Sequence, residues 1–485
     1  MSIFVTFTQI YKMDSPTKYH FLKSALTTEN TLMNTENFLY WLDEKKKQTH
    51  HKTTFIPFSE MENWGFNTTT GNLEHTTGKF FSIEGIHVKT NWGNVSEWSQ
   101  PIINQPEIGF LGIITKKFND TLYFLMQAKI EPGNINAVQL SPTLQATKSN
   151  YTQVHQGNTP LYLDYFLTER KDVTVLLDQL QSEQGARFLK KRNRNIIIEI
   201  TGEIEVEEHF CWLTLGQIKE LLQYDNLINM DTRTVISGIP YGDFNTLNLL
   251  KHKDELISFN SELLLSELDS KNALHSMEHI ISWITRLKSF AELEVEKISL
   301  NKVKDWVKDD FSIHHKEYKY FSVVAVKVEI GNREVKSWTQ PLVKSAQEGI
   351  IAFLCKKING VYHFLVQAKL ESGNFDIIEL APTVQCLTGN YRKGQNEYEV
   401  EFLDVVLNPE KFNAKVHYNS MQSEEGGRFY QEQNQNMILE VDANFNTEVS
   451  EKYCWMTLSQ LKDFIKFNNY LNIQSRSLLS AVRFK

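Results

Sequence analysis

Three polar side chains, two of them able to do acid–base work, stand two residues apart in the segment LYFLMQAKIEPGN (residues 122–134): Gln127, Lys129 and Glu131. In an extended strand that alternation puts all three on one face. A cation and a carboxylate side by side can bind a polar ligand or move a proton; equally, they can form an ordinary salt bridge on a solvated sheet. The trio returns as Gln367, Lys369 and Glu371 in YHFLVQAKLESGN (362–374), where eight of thirteen positions match at an offset of 240 residues. Its chemical identity in both copies, amid drifting apolar neighbours, favours the functional role. Gly133-Asn134 and Gly373-Asn374, which follow, read as turn residues.

Two further clusters repeat. One is the loop Gln145, Thr147, Lys148, Ser149, Asn150, Tyr151, answered by Gln385, Thr388, Gly389, Asn390, Tyr391, Arg392 and Lys393. Hydroxyls, amides, backbone N–H groups and a cation suit phosphate, with a plain hydrophilic loop as the alternative. The other is QSEQGARF, with Ser182, Glu183, Gly185 and Arg187, answered by QSEEGGRF, with Ser423, Glu424, Glu425, Gly426, Gly427 and Arg428. Arginine beside glycine-rich backbone can clamp a diphosphate bidentately; a helical Arg–Glu pair is the alternative. Trp64 and Trp306 open the core of each half, where an indole face stacks on a flat base as readily as it fills a core.

The elements that must carry these groups follow one order in each half. A helix is expected around Phe38–Leu42 and again around Ile280–Leu287, from apolar residues at helical spacing. Strands follow at FFSIEGIHV (80–88) and YFSVVAVKV (320–328), then hairpins turning at Asn119-Asp120 and Asn359-Gly360. QSEQGARF and QSEEGGRF are expected on a helical stretch, ahead of strands NIIIEI (195–200) and NMILEV (436–441). Final helices start at Thr214 and Thr457 as N-caps. This is an α+β protein, mainly antiparallel sheet with flanking helices. We expect an N-terminal repeat over 1–240, a partly helical linker over 241–270 and a C-terminal repeat over 271–485. A period this long is a duplicated globular domain rather than a solenoid.

Composition narrows the class. Hydrophobic residues make up 41% and charged residues 23%, ordinary for a soluble globular protein. A net charge of −8 argues against general nucleic-acid binding, which needs a basic face, while leaving room for one basic pocket. The four cysteines, Cys211, Cys355, Cys386 and Cys454, form no CxxC pair, so a zinc site is not expected. His50-His51 and His314-His315 lack a carboxylate or cysteine at metal spacing and read as surface; the run KKKQTHHK (45–52) reads as a solvated helix end. The N-terminus has no signal-peptide pattern and no apolar run approaches the ~20 residues that cross a bilayer, so a reduced, cytoplasmic protein is expected. No GxGxxG, P-loop, HExxH or GxSxG occurs.

The segments WSQPIINQPEIGFLGII, FLMQAKIEPGN and QLSPTLQATKSNY, with ELAPTVQCLTGNY in the second half, resemble the NDP-hexose 2,3-dehydratases of deoxysugar biosynthesis, over nearly the whole chain from about Phe38. The resemblance implies a tandem Nudix-like fold, a homodimer, and a nucleotide-linked 4-keto-6-deoxyglucose, usually on dTDP, as substrate. It also implies a lyase that needs no cofactor or metal, and a downstream 3-ketoreductase to take the product. The Nudix catalytic box is absent, so magnesium-dependent pyrophosphate hydrolysis is not expected. The C4 ketone acidifies the C3 proton; a base removes it, the C2 hydroxyl leaves as water, and the 2,3-enol tautomerises to a 3,4-diketone. One base, one acid and a donor to the C4 oxygen suffice. Of the two copies the second is expected to be catalytic, through Lys369, Glu371 and Tyr391, with Lys129, Glu131 and Tyr151 their equivalents. The copies differ at Lys148-Ser149 against Thr388-Gly389 and at Gln139 against Glu379. The competing reading is a non-catalytic or regulatory nucleotide-sugar binder on the same duplicated fold.

Overall fold

The computed structural model describes residues 15–147, 159–242, 258–269, 271–330, 337–386 and 399–485. Each repeat contributes a seven-stranded mixed sheet. In the first, the strands run in the order Val173–Ser182, Arg192–Ile200, Gly109–Phe118, Thr121–Ile130, Phe210–Thr214, with Val138–Ser141 and Leu144–Ala146 added at the ends of the central hairpin. All pairings are antiparallel except Arg192–Ile200 on Gly109–Phe118. The second repeat reproduces the plan, its one parallel pair being Gly349–Ile358 with Gln433–Glu440. The hairpins turn where expected: Asn119 and Asp120, then Asn359 and Gly360, all adopt positive φ, the geometry that a two-residue hairpin loop requires.

Helices cover the sheets. Thr214 and Thr457 cap Leu215–Leu221 and Leu458–Ile465, each in a capping box with a glutamine three residues on. Ser15–Leu26 packs on Leu215–Leu221 and Thr121–Ile130, and Phe259–Leu268 packs in the same way on Leu458–Ile465 and Val361–Lys369. The helical part of the segment read as linker thus covers the second sheet as its counterpart covers the first. Between the sheets, Met230–Ser237 lies against Ile473–Ser480, and one apolar core runs through both repeats.

The smaller sheets cross the repeat boundary. His51–Ile56 of the first half pairs along Phe321–Ile330 of the second, and Leu293–Ile298 of the second pairs along Ser82–Thr90 of the first. Each repeat therefore completes a five-stranded sheet of the other.

Several sequence expectations need correction. QSEQGARF and QSEEGGRF are not helical: Gln181-Ser182 and Gln422-Ser423 end strands, and the rest forms a turn tied by Phe188 to Ile103 and by Phe429 to Val343. Their glycines serve close contact. Gly133 N–H donates to the Gly426 carbonyl at 2.8 Å, and Gly373 N–H to the Gly185 carbonyl at 2.7 Å. Gly133 and Gly373 are therefore more than turn residues. A Cβ on Gly133 would stand 1.7 Å from the Phe429 carbonyl oxygen, and one on Gly373 1.8 Å from that of Phe188. His314 is buried and stacks on Tyr318 at 4.4 Å rather than lying on the surface. Lys45, read as part of a solvated helix end, is buried and paired with Glu208.

These contacts set a test. Gly133→Ala must displace backbone of the opposite repeat and should cost about 2–4 kcal/mol of stability in urea unfolding. Gly65→Ala, with nothing within 4 Å of the added carbon, should stay within about 0.5 kcal/mol. Equal effects from the two would refute the close-approach account.

Candidate active site

A cavity of about 970 Å³ opens over the Gln127–Lys129–Glu131 face of the first repeat. Its floor is that strand and the Gln145–Thr147 segment. One wall is Trp64, His75 and Phe81; the other belongs to the second repeat, with Trp338, Gln340, Glu425, Gly427 and Arg428. The site is composite, because the QSEEGGRF turn of the second repeat is docked onto the first by the Gly133–Gly426 contact.

The polar floor is tied from beneath. Asn229, N-cap of Met230–Ser237, donates to Gln145 Oε1 at 3.3 Å, and Gln145 Nε2 donates to Glu131 Oε1 at 2.7 Å. Lys129 Nζ lies 3.8 Å from the same oxygen. Glu131 is buried, and its Oε2 has no hydrogen-bond partner among the described residues. Asp231, in the first turn of that helix, also lines the cavity; burial and then the nearby Glu425, Glu131 and Glu183 carboxyls hold its pKa well above the usual carboxylate range. Glu425 is raised too, by burial first, with Glu131 adding to the shift and Arg428 opposing it. Burial lowers the Lys191 ammonium, which donates to the Glu107 carbonyl. Arg428 donates through Nε and Nη2 to Gln105 at 3.2 and 3.1 Å and lies 4.2 Å over Phe81. Trp64 packs on Phe81 and His75 with ring centroids 5.0 and 5.3 Å away. One end of the cavity thus offers aromatic faces and a guanidinium; the other carries exchangeable protons in low-dielectric surroundings.

The second copy repeats the chassis with different charges. Gln385 Nε2 donates to Glu371 Oε1 at 2.8 Å, Asn472 Nδ2 to Gln385 Oε1 at 2.7 Å, and Lys369 Nζ to the Gln385 carbonyl at 3.4 Å. The first repeat's turn meets the second repeat here: Arg187 lies 4.3 Å over Phe321, and Gln100 donates to the Ala186 carbonyl at 3.0 Å. Where the first copy has Asp231, Glu425 and Lys191, the second has Gln474, Gln184 and Glu432. Gln184 Nε2 donates to Glu424 Oε2 at 2.5 Å, and Asn434 holds the other oxygen at 2.6 Å.

Of the residues picked from sequence, Trp64, Thr147, Glu425, Gly427 and Arg428 meet Lys129 and Glu131 at one cavity. Gly426 makes the docking contact beside it. Ser182 and Glu424 are buried in internal hydrogen bonds, Ser182 to Glu379. Trp306 lines a separate cavity of about 150 Å³ whose walls include neither Lys369 nor Glu371. Lys148, Ser149, Asn150, Tyr151, Thr388, Gly389, Asn390, Tyr391, Arg392 and Lys393 lie outside the described residues. Asp231 and Lys191 were missed. Both stand where the aligned repeats differ in charge, and that difference was the available signal.

A family model described as NDP-hexose 2,3-dehydratase matches residues 35–239 and again 277–482. A dTDP-4-dehydro-6-deoxy-alpha-D-glucopyranose 2,3-dehydratase of Saccharopolyspora spinosa is 44% identical over 463 residues, covering 95% of this chain and 94% of the relative. Enzymes of the same description from Amycolatopsis orientalis and Streptomyces violaceoruber are each 40% identical, covering 95% and 93% of this chain and 92% and 98% of theirs.

One asymmetry beneath the second copy is testable through pH. Glu379, opposite Lys369 in the strand register, accepts from Ser182 Oγ at 2.9 Å; the equivalent Gln139 accepts from Ser423 Oγ at 3.0 Å. Burial pushes Glu379 up to about 7 from an ordinary 4.5, against the pull of Arg476. The folded chain then holds this proton more tightly than the unfolded chain. The stabilising contribution is complete below about pH 4.5 and is lost as pH rises through about 7. Glu379→Gln removes that dependence. Its melting temperature relative to the parent should become more favourable by about 2 °C or more between pH 5 and pH 8; a flat difference would refute the assignment.

Proposed function

Because the chain belongs to the NDP-hexose 2,3-dehydratase family, we propose that it is a carbon–oxygen lyase removing water across C2–C3 of a dTDP-4-keto-6-deoxyglucose. The observation that carries the assignment is the composite cavity, whose roughly 970 Å³ suits a nucleotide sugar and whose floor holds Lys129 beside the unpartnered oxygen of Glu131. Trp64 and its aromatic neighbours receive the base, and Arg428 faces the diphosphate. Lys129 and Glu131 lie at the sugar, where one takes the C3 proton and the other binds the C4 oxygen. The chemistry therefore goes to the first copy in this proposal, rather than to Lys369, Glu371 and Tyr391. The QSEEGGRF stretch belongs to the second repeat but faces the first copy's cavity.

The proposed enzyme releases a 3,4-diketo-2,6-dideoxy sugar, a substrate for a 3-ketoreductase, and works as a cytoplasmic homodimer. Each repeat is read as Nudix-like, on the support of its mixed sheet with a single parallel pair. No group of three or more His, Cys, Asp or Glu suited to a metal occurs among the described residues, and none of their helices is long and apolar enough to cross a membrane.

Lys129→Met should lower turnover of the 4-keto sugar by about 10²-fold or more, while dTDP affinity by calorimetry stays within about threefold. Lys369→Met should retain turnover within about threefold. The reverse pattern would move the chemistry to the second copy, and an intact 4-keto sugar with unmutated protein would leave a binder. Turnover should also persist in excess EDTA; loss restored by magnesium would point to a Nudix-type reaction instead.

A further inference from the structure

The two copies carry the same lysine and glutamate on their strand faces, so those residues cannot be what separates one copy from the other. Three of the positions that do differ bear ionisable groups close to those faces. Asp231, Lys191 and Glu425 around the first copy stand against Gln474, Glu432 and Gln184 around the second. At the last pair the exchange is a carboxyl for an amide, the change that removes an exchangeable proton while keeping size and polarity. The amide of Gln184 is engaged with Glu424.

Glu425 belongs to the second repeat yet borders the first repeat's cavity. A carbon at the Cβ position of Gly427 would stand 2.9 Å from Glu425 Oε1 and 3.8 Å from Glu131 Oε1, so both carboxyls border the same small space. Gly427 leaves that space open; the first repeat has Ala186 at the equivalent position. Asp231 is deeper, buried in the first helical turn, whereas Glu425 sits half-buried at the wall.

Resting on the dehydratase reading above, we propose that Glu425, supplied across the repeat boundary, is the general acid that protonates the departing C2 hydroxyl. The base takes the C3 proton, and the electron pair passes to the C4 oxygen as an enolate. As the C4 carbonyl reforms, the C2–O bond breaks, C2 and C3 share the new double bond, and the oxygen leaves with the Glu425 proton as water. The base releases the C3 proton to solvent, the Glu425 carboxylate recovers one, and no oxidant or reductant enters. The first copy's site is incomplete without the second repeat. The second copy, with Gln184 in this place, can hold a sugar but cannot expel its hydroxyl.

The assignment separates two steps that are normally observed together. In the full chain, Glu425→Gln installs the residue already present at the equivalent position, beside carboxyls whose crowding it relieves, and its melting temperature checks the fold. With dTDP-4-keto-6-deoxyglucose in D2O, Glu425→Gln should still exchange the C3 hydrogen for deuterium within about threefold of the parent rate. Release of water should fall by about 10²-fold or more. Glu425→Asp, which keeps the acid, should recover part of the elimination. Elimination at the parent rate in Glu425→Gln would overturn the proposal. So would joint loss of exchange and elimination, or Asp231→Asn giving the split pattern while Glu425→Gln does not. If the unmutated protein neither exchanges nor eliminates, it is the dehydratase reading that fails.

Discussion

Two backbone hydrogen bonds, Gly133 to Gly426 and Gly373 to Gly185, govern the rest of the structure. Each requires main chain of one repeat to approach main chain of the other more closely than any side chain allows. That excludes every residue but glycine at the contact. Once made, the pair fixes the position of each QSE turn over the opposite sheet face. The turns lie over the opposite repeat rather than their own, so the cavity of the first copy is walled by both repeats.

Buried cations reinforce the same reciprocity. Arg233 donates to the Ser423 carbonyl and Arg476 to the Ser182 carbonyl, each holding the strand that leads into the other repeat's turn. Lys219 donates to the carbonyls of Ser480 and Val482, and Lys462 to those of Ser237 and Ile239, each satisfying a helix C-terminus across the boundary. Burial, then repulsion from Lys462, pushes Lys219 down to about 7. An amine held this way trades charge for capped carbonyls, which suits an interface that must be dry and specific rather than strongly attractive.

Local features were legible in the sequence. The hairpins at Asn119-Asp120 and Asn359-Gly360, the N-caps Thr214 and Thr457, and the shared strand face of Lys129 and Glu131 each follow from short-range rules, and the α+β class follows with them. Partnership between distant segments was not legible. QSEQGARF looked helical because Gln, Glu, Ala and Arg favour helices, yet its glycine is there for Asn374, whose Oδ1 would lie 2.0 Å from a Cβ on Gly185. A repeat also suggests that each motif serves its own copy, and nothing within either copy signals the exchange. Asp231 and Lys191 escaped notice because they belong to no repeated motif; the other half has Gln474 and Glu432 in their places.

The exchanged strands also bear on synthesis. Ser82–Thr90 finds one neighbour at once in Glu97–Asn104, but most of its other edge waits for Leu293–Ile298. At about 5–20 residues per second, a ribosome needs tens of seconds to deliver that strand. Throughout that interval the nascent chain carries an apolar strand with open backbone donors and acceptors, the template on which unrelated chains aggregate. The arrangement that joins the two halves in the finished protein therefore leaves one strand edge of the half-made protein open until the second repeat arrives.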